Sequence, residues 1–203
     1  MKPLKLIFLL LMMGFISVSA QESFKSYKKA LKKERKEKDI EFLDSKESPL
    51  AAEEIKAFRG LKYFKPNYSM VISAVLERKS TSDTIKMKTT TERLPLYIVY
   101  GTATFTIDGI KETLTIYRNV GLMSKSGFED YLFVPFTDET SGMESYGGGR
   151  YIDARIPKDN TIVLDFNRAY NPYCVYSKRY SCPIPPRENH LDIRIIAGEK
   201  NYH

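Results

Sequence analysis

The chain has 203 residues, of which 42% are hydrophobic and 28% are charged, and this composition excludes an intrinsically disordered protein. The net charge is +7, but the excess lies largely in one N-terminal helical segment and is typical of a solvated helix surface. We therefore predict no nucleic-acid partner. The 14 tyrosines and 11 phenylalanines, together with the absence of tryptophan, favour β structure.

Residues 1–20 have the pattern of a secretory signal peptide. Two lysines precede an apolar run of about ten residues, which is followed by a Val-Ser-Ala cleavage site. The apolar run is shorter than the roughly 18–20 residues that a membrane span needs. We therefore expect cleavage before Gln21 and an extracytoplasmic mature protein, periplasmic or secreted, with no membrane span.

Residues 21–60 form a predicted helical segment that packs on the domain after it. Apolar residues follow a thin stripe through residues 22–43, and lysine, arginine and glutamate occupy the other positions. Ser48 and Pro49 are residue types that favour the start of a second helix. Gly60 is expected to end this helix, because glycine is common just after the last helical residue.

Residues 61–203 are predicted to form a single β domain. Asp108 and Gly109 are the strongest hairpin signal in the chain, between arms at residues 96–107 and 112–117. Further strands are predicted from alternating or short apolar runs at residues 70–76, 84–89, 131–134, 151–156, 161–166 and 191–197. This order predicts a mainly β protein with N-terminal helices (α+β), built as an antiparallel barrel or sandwich.

Several blocks of the sequence are specific enough to compare with known families. They include FRGLKYF (58–64), YGTATFTIDG (100–109), YLFVPFTDETSG (131–142), YGGGRYID (146–153) and DFNRAYNPYCVYSKRYSCPIPPREN (165–189). In these blocks the chain resembles a bacterial family known as domain of unknown function 1684. The resemblance implies that the blocks belong to one domain, and it carries no assigned activity.

The stretch from residue 165 to 191 has neither a helical nor a strand period, which is typical of a binding loop or a site wall. Cys174 and Cys182 within it enclose seven residues, and two cysteines in an exported chain most often pair. We predict a disulfide between them. Free thiols and a metal site that adds His190 and Asp165 stay open as alternatives. The spacing is not that of a zinc knuckle, so we predict neither a metal nor a cofactor.

Two irregular loops, Gly147 to Tyr151 and Asp165 to Asn189, are predicted to wall one pocket for a small polar or anionic ligand. Arg150 would be the charge partner and the glycine backbone would cradle an anion. The glycines could equally mark positive φ angles or a close backbone approach. The predicted ligand-binding residues are Gly147, Gly148, Gly149, Arg150, Tyr151, Asp165, Tyr170, Asn171, Tyr180, Glu188 and Asn189.

Two other functions stay open, and the sequence does not decide whether the protein is an enzyme or what its oligomeric state is. An extracytoplasmic hydrolase-like enzyme would use Asp165 or Glu188 with Arg150 or a metal, and paired carboxylates would have to share a cleft. A structural or interaction protein would present the basic helix at residues 25–38 to an acidic partner. The candidate carboxylates are Asp138, Glu144, Asp165 and Glu188.

Overall fold

The structure, a computed structural model, describes residues 3–80 and 83–203, with side chains from residue 23 onward in those ranges. Helix α1 is Pro3–Leu43 and helix α2 is Ala52–Ala57. The predicted leader and its cleavage point fall outside the residues whose side chains are described, so they stay predictions. Among the described residues, no helix is long and apolar enough to cross a membrane.

The predicted start of the second helix is wrong by three residues. The hydroxyl of Ser48 donates to the Phe42 carbonyl at 2.6 Å and accepts from the Leu50 amide at 3.1 Å. This serine therefore closes a turn between the helices instead of capping α2. The N-cap of α2 is Ala51, whose amide donates to the Glu54 carboxylate at 2.9 Å.

The β domain is one sheet that curls into a half-barrel, which confirms the predicted fold class. The strands are β1 Val71–Arg78, β2 Thr84–Lys86, β3 Leu96–Ile107, β4 Ile110–Asn119, β5 Tyr131–Asp138, β6 Arg150–Arg155, β7 Thr161–Asp165 and β8 His190–Leu191. The strand order is β6-β5-β4-β3-β1-β7, with β2 paired to β3 and β8 paired to β5. All pairs are antiparallel except β5 with β8.

The sheet carries two apolar clusters, one on each face. Alternate residues of β4, β5 and β6 pack into the main core, whose members include Leu114, Ile116, Leu132, Val134, Phe136 and Ile152. The opposite face carries a second cluster of Met87, Tyr97, Tyr117, Phe133 and Tyr151. A register shift in β3 between Val99 and Gly101 adds one residue to that strand. Because of this bulge, odd-numbered residues before it face the second cluster and odd-numbered residues after it face the main core.

Only the first residue of the predicted strand at 191–197 lies in a strand, since β8 is His190–Leu191. The burial of residues 191–197 still alternates, as a strand would require. The backbone of this extended segment bonds to Glu139 at Ile193, and beyond that point it bonds to side chains instead of a sheet neighbour. Ile195 donates its amide to Asp138 at 2.8 Å and gives its carbonyl to Arg150 at 3.0 Å.

Helix α1 docks on the half-barrel through its described residues. Phe42 is fully buried in a small cluster that also contains Phe58 and Tyr176. Tyr27 donates its hydroxyl to the Asp165 carboxylate at 2.9 Å. The lysines on the outer side of the helix are exposed: Lys25, Lys28, Lys29, Lys32, Lys33 and Lys36. The hypothesis that this basic face meets an acidic partner stays a prediction.

Candidate functional site

The second cluster, on the outer face of the sheet, forms the floor of a cavity of about 510 Å³. Strands β3, β5 and β6 supply the floor, and the irregular stretch after β7 supplies the opposite wall. We call this cavity the tyrosine pocket. It is lined by Lys38, Tyr97, Leu122, Tyr131, Phe133, Tyr151, Asp153, Tyr170, Pro172, Tyr173, Tyr180, Ser181, Cys182 and Pro183.

The carboxylate in the lining of this pocket belongs to Asp153. Its Oδ1 atom accepts the Tyr131 hydroxyl at 2.8 Å and the Tyr170 hydroxyl at 2.7 Å. Burial, and after it the charge of Asp153, raises the pKa of both phenols above the ordinary tyrosine value. Both tyrosines therefore stay protonated and donate to the carboxylate at neutral pH. In the part of the chain that the structure describes, Asp153 forms no ion pair with lysine or arginine.

Lys38 of α1 brings a positive charge to the edge of the pocket. Its Nζ atom is 4.9 Å from the centroid of the Tyr170 ring and 2.7 Å from Oε1 of Glu199. Glu199 is 1% exposed, so the two charges form a partly buried pair. Because Glu199 balances Lys38, the unbalanced charge in the pocket lining is the negative charge of Asp153.

The two predicted loops meet at this pocket through their backbones. Tyr151 and Tyr170 exchange two hydrogen bonds, at 2.9 and 3.0 Å. The Tyr151 hydroxyl also donates to the carbonyl of Pro183. Three of the predicted ligand-binding residues, Tyr151, Tyr170 and Tyr180, line the pocket.

Arg150 lies away from the pocket, in the core. Its side chain is fully buried, and it donates to the Asp138 carboxylate at 3.1 Å and to the carbonyls of Ile195, Ala197 and Glu199. Burial lowers the pKa of Arg150, and the neighbouring Asp138 opposes that effect. The guanidinium of Arg150 is therefore committed to partners in the core, and its predicted role as the charge partner of an anionic ligand gains no support from this geometry.

The triple glycine is used for close packing instead of anion binding. A Cβ atom on Gly148 would lie 2.5 Å from the Tyr146 ring, and one on Gly149 would lie 2.5 Å from the Phe136 carbonyl oxygen. A Cβ atom on Gly147 would meet Gly142 at 3.4 Å. The amide of Gly149 donates to the Tyr146 carbonyl at 3.0 Å, so it closes a turn and is not available to an anion.

The other predicted ligand-binding residues hold the fold together. Asn189 is fully buried and bonds to the backbones of Thr115 and Pro135 through its amide group, which fastens the irregular stretch to β4 and β5. Asn171 donates its backbone amide to Glu199 at 2.8 Å. Glu188 accepts the Tyr117 hydroxyl at 3.0 Å.

The four candidate carboxylates have separate partners. Asp138 pairs with Arg150 and Glu144 with Arg194. Asp165 accepts from Tyr27 and Arg168, and Glu188 accepts from Tyr117. Among the described residues, no two of these four carboxylates are hydrogen-bonded to each other. The hydrolase hypothesis therefore gains no geometric support from them.

Both cysteines are free, so the predicted disulfide is wrong. The backbone amide of Cys174 donates to the Sγ atom of Cys182 at 3.2 Å. Backbone pairing holds the irregular stretch in place without a disulfide. The Thr90 amide donates to the Cys182 carbonyl at 2.9 Å, and Thr89 forms a β-bridge with Pro183. The alternative metal set is also not assembled, since no described metal-compatible group includes a cysteine.

The two thiols differ in acidity. A hydrogen bond from the Cys182 thiol lowers the pKa of Cys174 to about 7, against the opposing effect of burial. The Tyr146 hydroxyl contributes a second hydrogen bond to Cys174 that acts in the same direction. The hydrogen bond with Cys174 and burial both raise the pKa of Cys182.

Cys174 is expected to react with iodoacetamide faster than Cys182 at neutral pH, because the thiolate is the nucleophile. Peptide mass spectrometry after timed labelling gives both rates across a pH series. We expect a midpoint at about pH 7 for Cys174, below the value of about 8.5 of an unperturbed cysteine. Tyr146→Phe should move this midpoint upward. An unshifted midpoint in the unmodified protein would contradict the assignment.

Sequence reasoning missed Tyr131 and Asp153 as pocket residues. Both lie on strands whose neighbouring residues, Leu132 and Ile152, point into the main core. The alternation along each strand therefore carried the signal that these polar side chains lie on the opposite face. The alternation did not indicate that the irregular stretch would cover this face and close it into a pocket.

Comparison with known proteins gives one solved structure and one family model that resemble the chain. A solution NMR structure of an uncharacterized protein from Haloarcula marismortui is 36% identical, covers 88% of this chain and 96% of its own, and superposes with a TM-score of 0.67. No curated protein matches the chain. The family described as protein of unknown function DUF1684 matches residues 56–200. Since this match spans more than half of its residues, the chain belongs to the DUF1684 family.

Proposed function

We propose that the protein binds a small polar ligand in the tyrosine pocket, and that the ligand carries a positive charge. The observation that carries this proposal is the Asp153 carboxylate, which has tyrosine hydroxyls but no cationic partner among the described residues. Aromatic ring faces attract cations, by about 0.5–2 kcal/mol each. A carboxylate among aromatic rings therefore favours an ammonium group over an anion.

We further propose that binding takes place outside the cytoplasm, after removal of residues 1–20. This part of the proposal rests on the leader pattern described above. N-terminal sequencing of the exported protein tests it independently of any ligand, and a mature chain that begins at Gln21 is the expected result.

Binding of benzyltrimethylammonium and of benzoate tests the charge preference, because both probes are aromatic and carry opposite charges. Tyrosine fluorescence can follow the titration, since the chain contains no tryptophan. We expect the cation to bind more tightly. Asp153→Asn should weaken cation binding by about tenfold, or about 1.4 kcal/mol.

Asp108→Asn is the matched control, since it removes the same charge from a hairpin turn outside the tyrosine pocket. Asparagine is also tolerated at the positive φ angle of that position. Tighter binding of benzoate, or an equal effect of the two substitutions, would refute the charge preference.

A further inference from the structure

A second group of chemically active side chains lies at the far end of β5 and β8. The parallel pairing of these strands places His190 opposite Thr137, two residues before Glu139. The Glu139 amide then donates to the carbonyl of Ile193 at 3.0 Å, which keeps the two segments together beyond the strands. As a result, a ligating atom from each of Glu139, His190 and Asp192 lies within 4.8 Å of the others.

The imidazole of His190 is oriented by its neighbours. Its Nδ1 atom is 2.9 Å from the Thr137 hydroxyl, while its Nε2 atom is 3.3 Å from Glu139 Oε1 and 3.7 Å from Asp192 Oδ1. Histidines that bind metals commonly have the other ring nitrogen held in this way by a hydrogen-bond partner. The ring therefore directs one nitrogen toward two carboxylates.

Glu112 supplies an independent observation at the same place. It lies on the core-facing side of β4 and is only 8% exposed, yet its Oε1 atom is buried without a hydrogen-bond partner among the described residues. Burial, and after it the charge of Asp192, raises the pKa of Glu112, while a hydrogen bond from the Asp192 backbone and the charge of His190 act in the opposite direction. A buried carboxylate oxygen without a partner is costly unless a cation or a hydrogen-bond donor satisfies it.

The two separations from the His190 ring nitrogen are close to those between ligands of one tetrahedral ion. With zinc–nitrogen and zinc–oxygen distances of about 2.0–2.2 Å, neighbouring ligand atoms are separated by about 3.3–3.6 Å. The two measured separations from His190 Nε2 are 3.3 and 3.7 Å. One imidazole nitrogen with several carboxylate oxygens is a donor set that suits zinc or manganese, and zinc binds such sets more tightly.

We propose that Glu139, His190 and Asp192 bind a divalent transition-metal ion, with Zn²⁺ preferred, and that the buried carboxylate of Glu112 adds negative charge behind them. Glu139 and Asp192 also line a cleft of about 1090 Å³ between the sheet and the segment before β1. The ion would therefore be open to that cleft on its exposed side. The tyrosine pocket is lined by other residues, so this site stands independently of the function proposed for it.

Isothermal titration with ZnCl₂ tests the site, using the purified protein after treatment with a chelator. Cys174→Ser/Cys182→Ser serves as the background, because thiols bind zinc on their own. We expect one saturable equivalent in this background. His190→Ala should lower the affinity by about tenfold or more, and Glu112→Gln should also weaken binding.

His203→Ala is the matched control, since His203 is the other histidine of the chain. It should leave the affinity unchanged. The histidine ring protons give a second measurement by NMR, in which Zn²⁺ should shift the resonance of His190 and not that of His203. Absence of saturable binding in the serine background, or binding that survives His190→Ala unchanged, would overturn the proposal.

Discussion

Replacing Arg150 by methionine is expected to lower the free energy of unfolding by about 3–5 kcal/mol, because it leaves the buried Asp138 carboxylate without its charge partner. Asp138 and Arg150 are both fully buried in their ion pair. The guanidinium also satisfies the carbonyls of Ile195, Ala197 and Glu199. Since a domain is stable by only about 5–15 kcal/mol, this is a large share of the total.

Urea unfolding measures the loss, and Arg155→Met is the matched control. Arg155 pairs with Asp130 at 2.7 Å, but both side chains are more than half exposed, at 56% and 54%. Exposed pairs contribute only about 0–1 kcal/mol. Equal losses in the two variants would show that the buried pair does not organise the C-terminal segment.

Arg150 also shows why part of the fold could be predicted and part could not. Alternation along residues 191–197 is a local pattern, and the burial there follows it. The hydrogen-bond partner of that segment is a distant side chain, which pairing of β5 with β6 brings into position. A local pattern predicts which side chains are buried, but it does not identify such a partner. The same limit made Arg150 look like a ligand-binding residue.

The hairpin at Asp108 and Gly109 was predictable because its signal is confined to the turn. Asp108 has a φ angle of 49° and Gly109 one of 82°, and the arms pair from Ile107 with Ile110 onward. The tyrosine pocket has no comparable local signal. It requires the outer face of the sheet, the irregular stretch and Lys38 of α1 to meet, and each is specified by a different part of the chain.

The cysteines illustrate the same distinction. Their spacing and the leader favoured a disulfide on general grounds, and the irregular stretch did prove to be pinned. The stretch is held by hydrogen bonds of Cys182 and Ile184 to Thr90 and Lys88, which lie about 90 residues earlier. Such a long-range pairing has no signature in a single sequence.

Replacing Gly149 by alanine is expected to destabilise the protein by about 2–5 kcal/mol in total. Its φ angle of +86° strains any L side chain, by about 1–2 kcal/mol. The added Cβ atom would also lie 2.5 Å from the Phe136 carbonyl oxygen and 2.7 Å from Cγ of Pro185. Relief of that overlap has to move β5 or the irregular stretch, at a further cost of about 1–3 kcal/mol.

Gly109→Ala separates the two contributions. Gly109 has nearly the same φ angle, +82°, but nothing lies within 4 Å of the position of its Cβ atom. In urea unfolding, Gly109→Ala should therefore lose only the part of the free energy of unfolding that comes from the positive φ angle. The difference in free energy between the two variants measures the cost of the close contact at Gly149. If the losses are equal, the contact is relieved without cost. Because Pro183, beside the displaced segment, accepts the Tyr151 hydroxyl, we also expect weaker probe binding in the tyrosine pocket of Gly149→Ala and unchanged binding in Gly109→Ala.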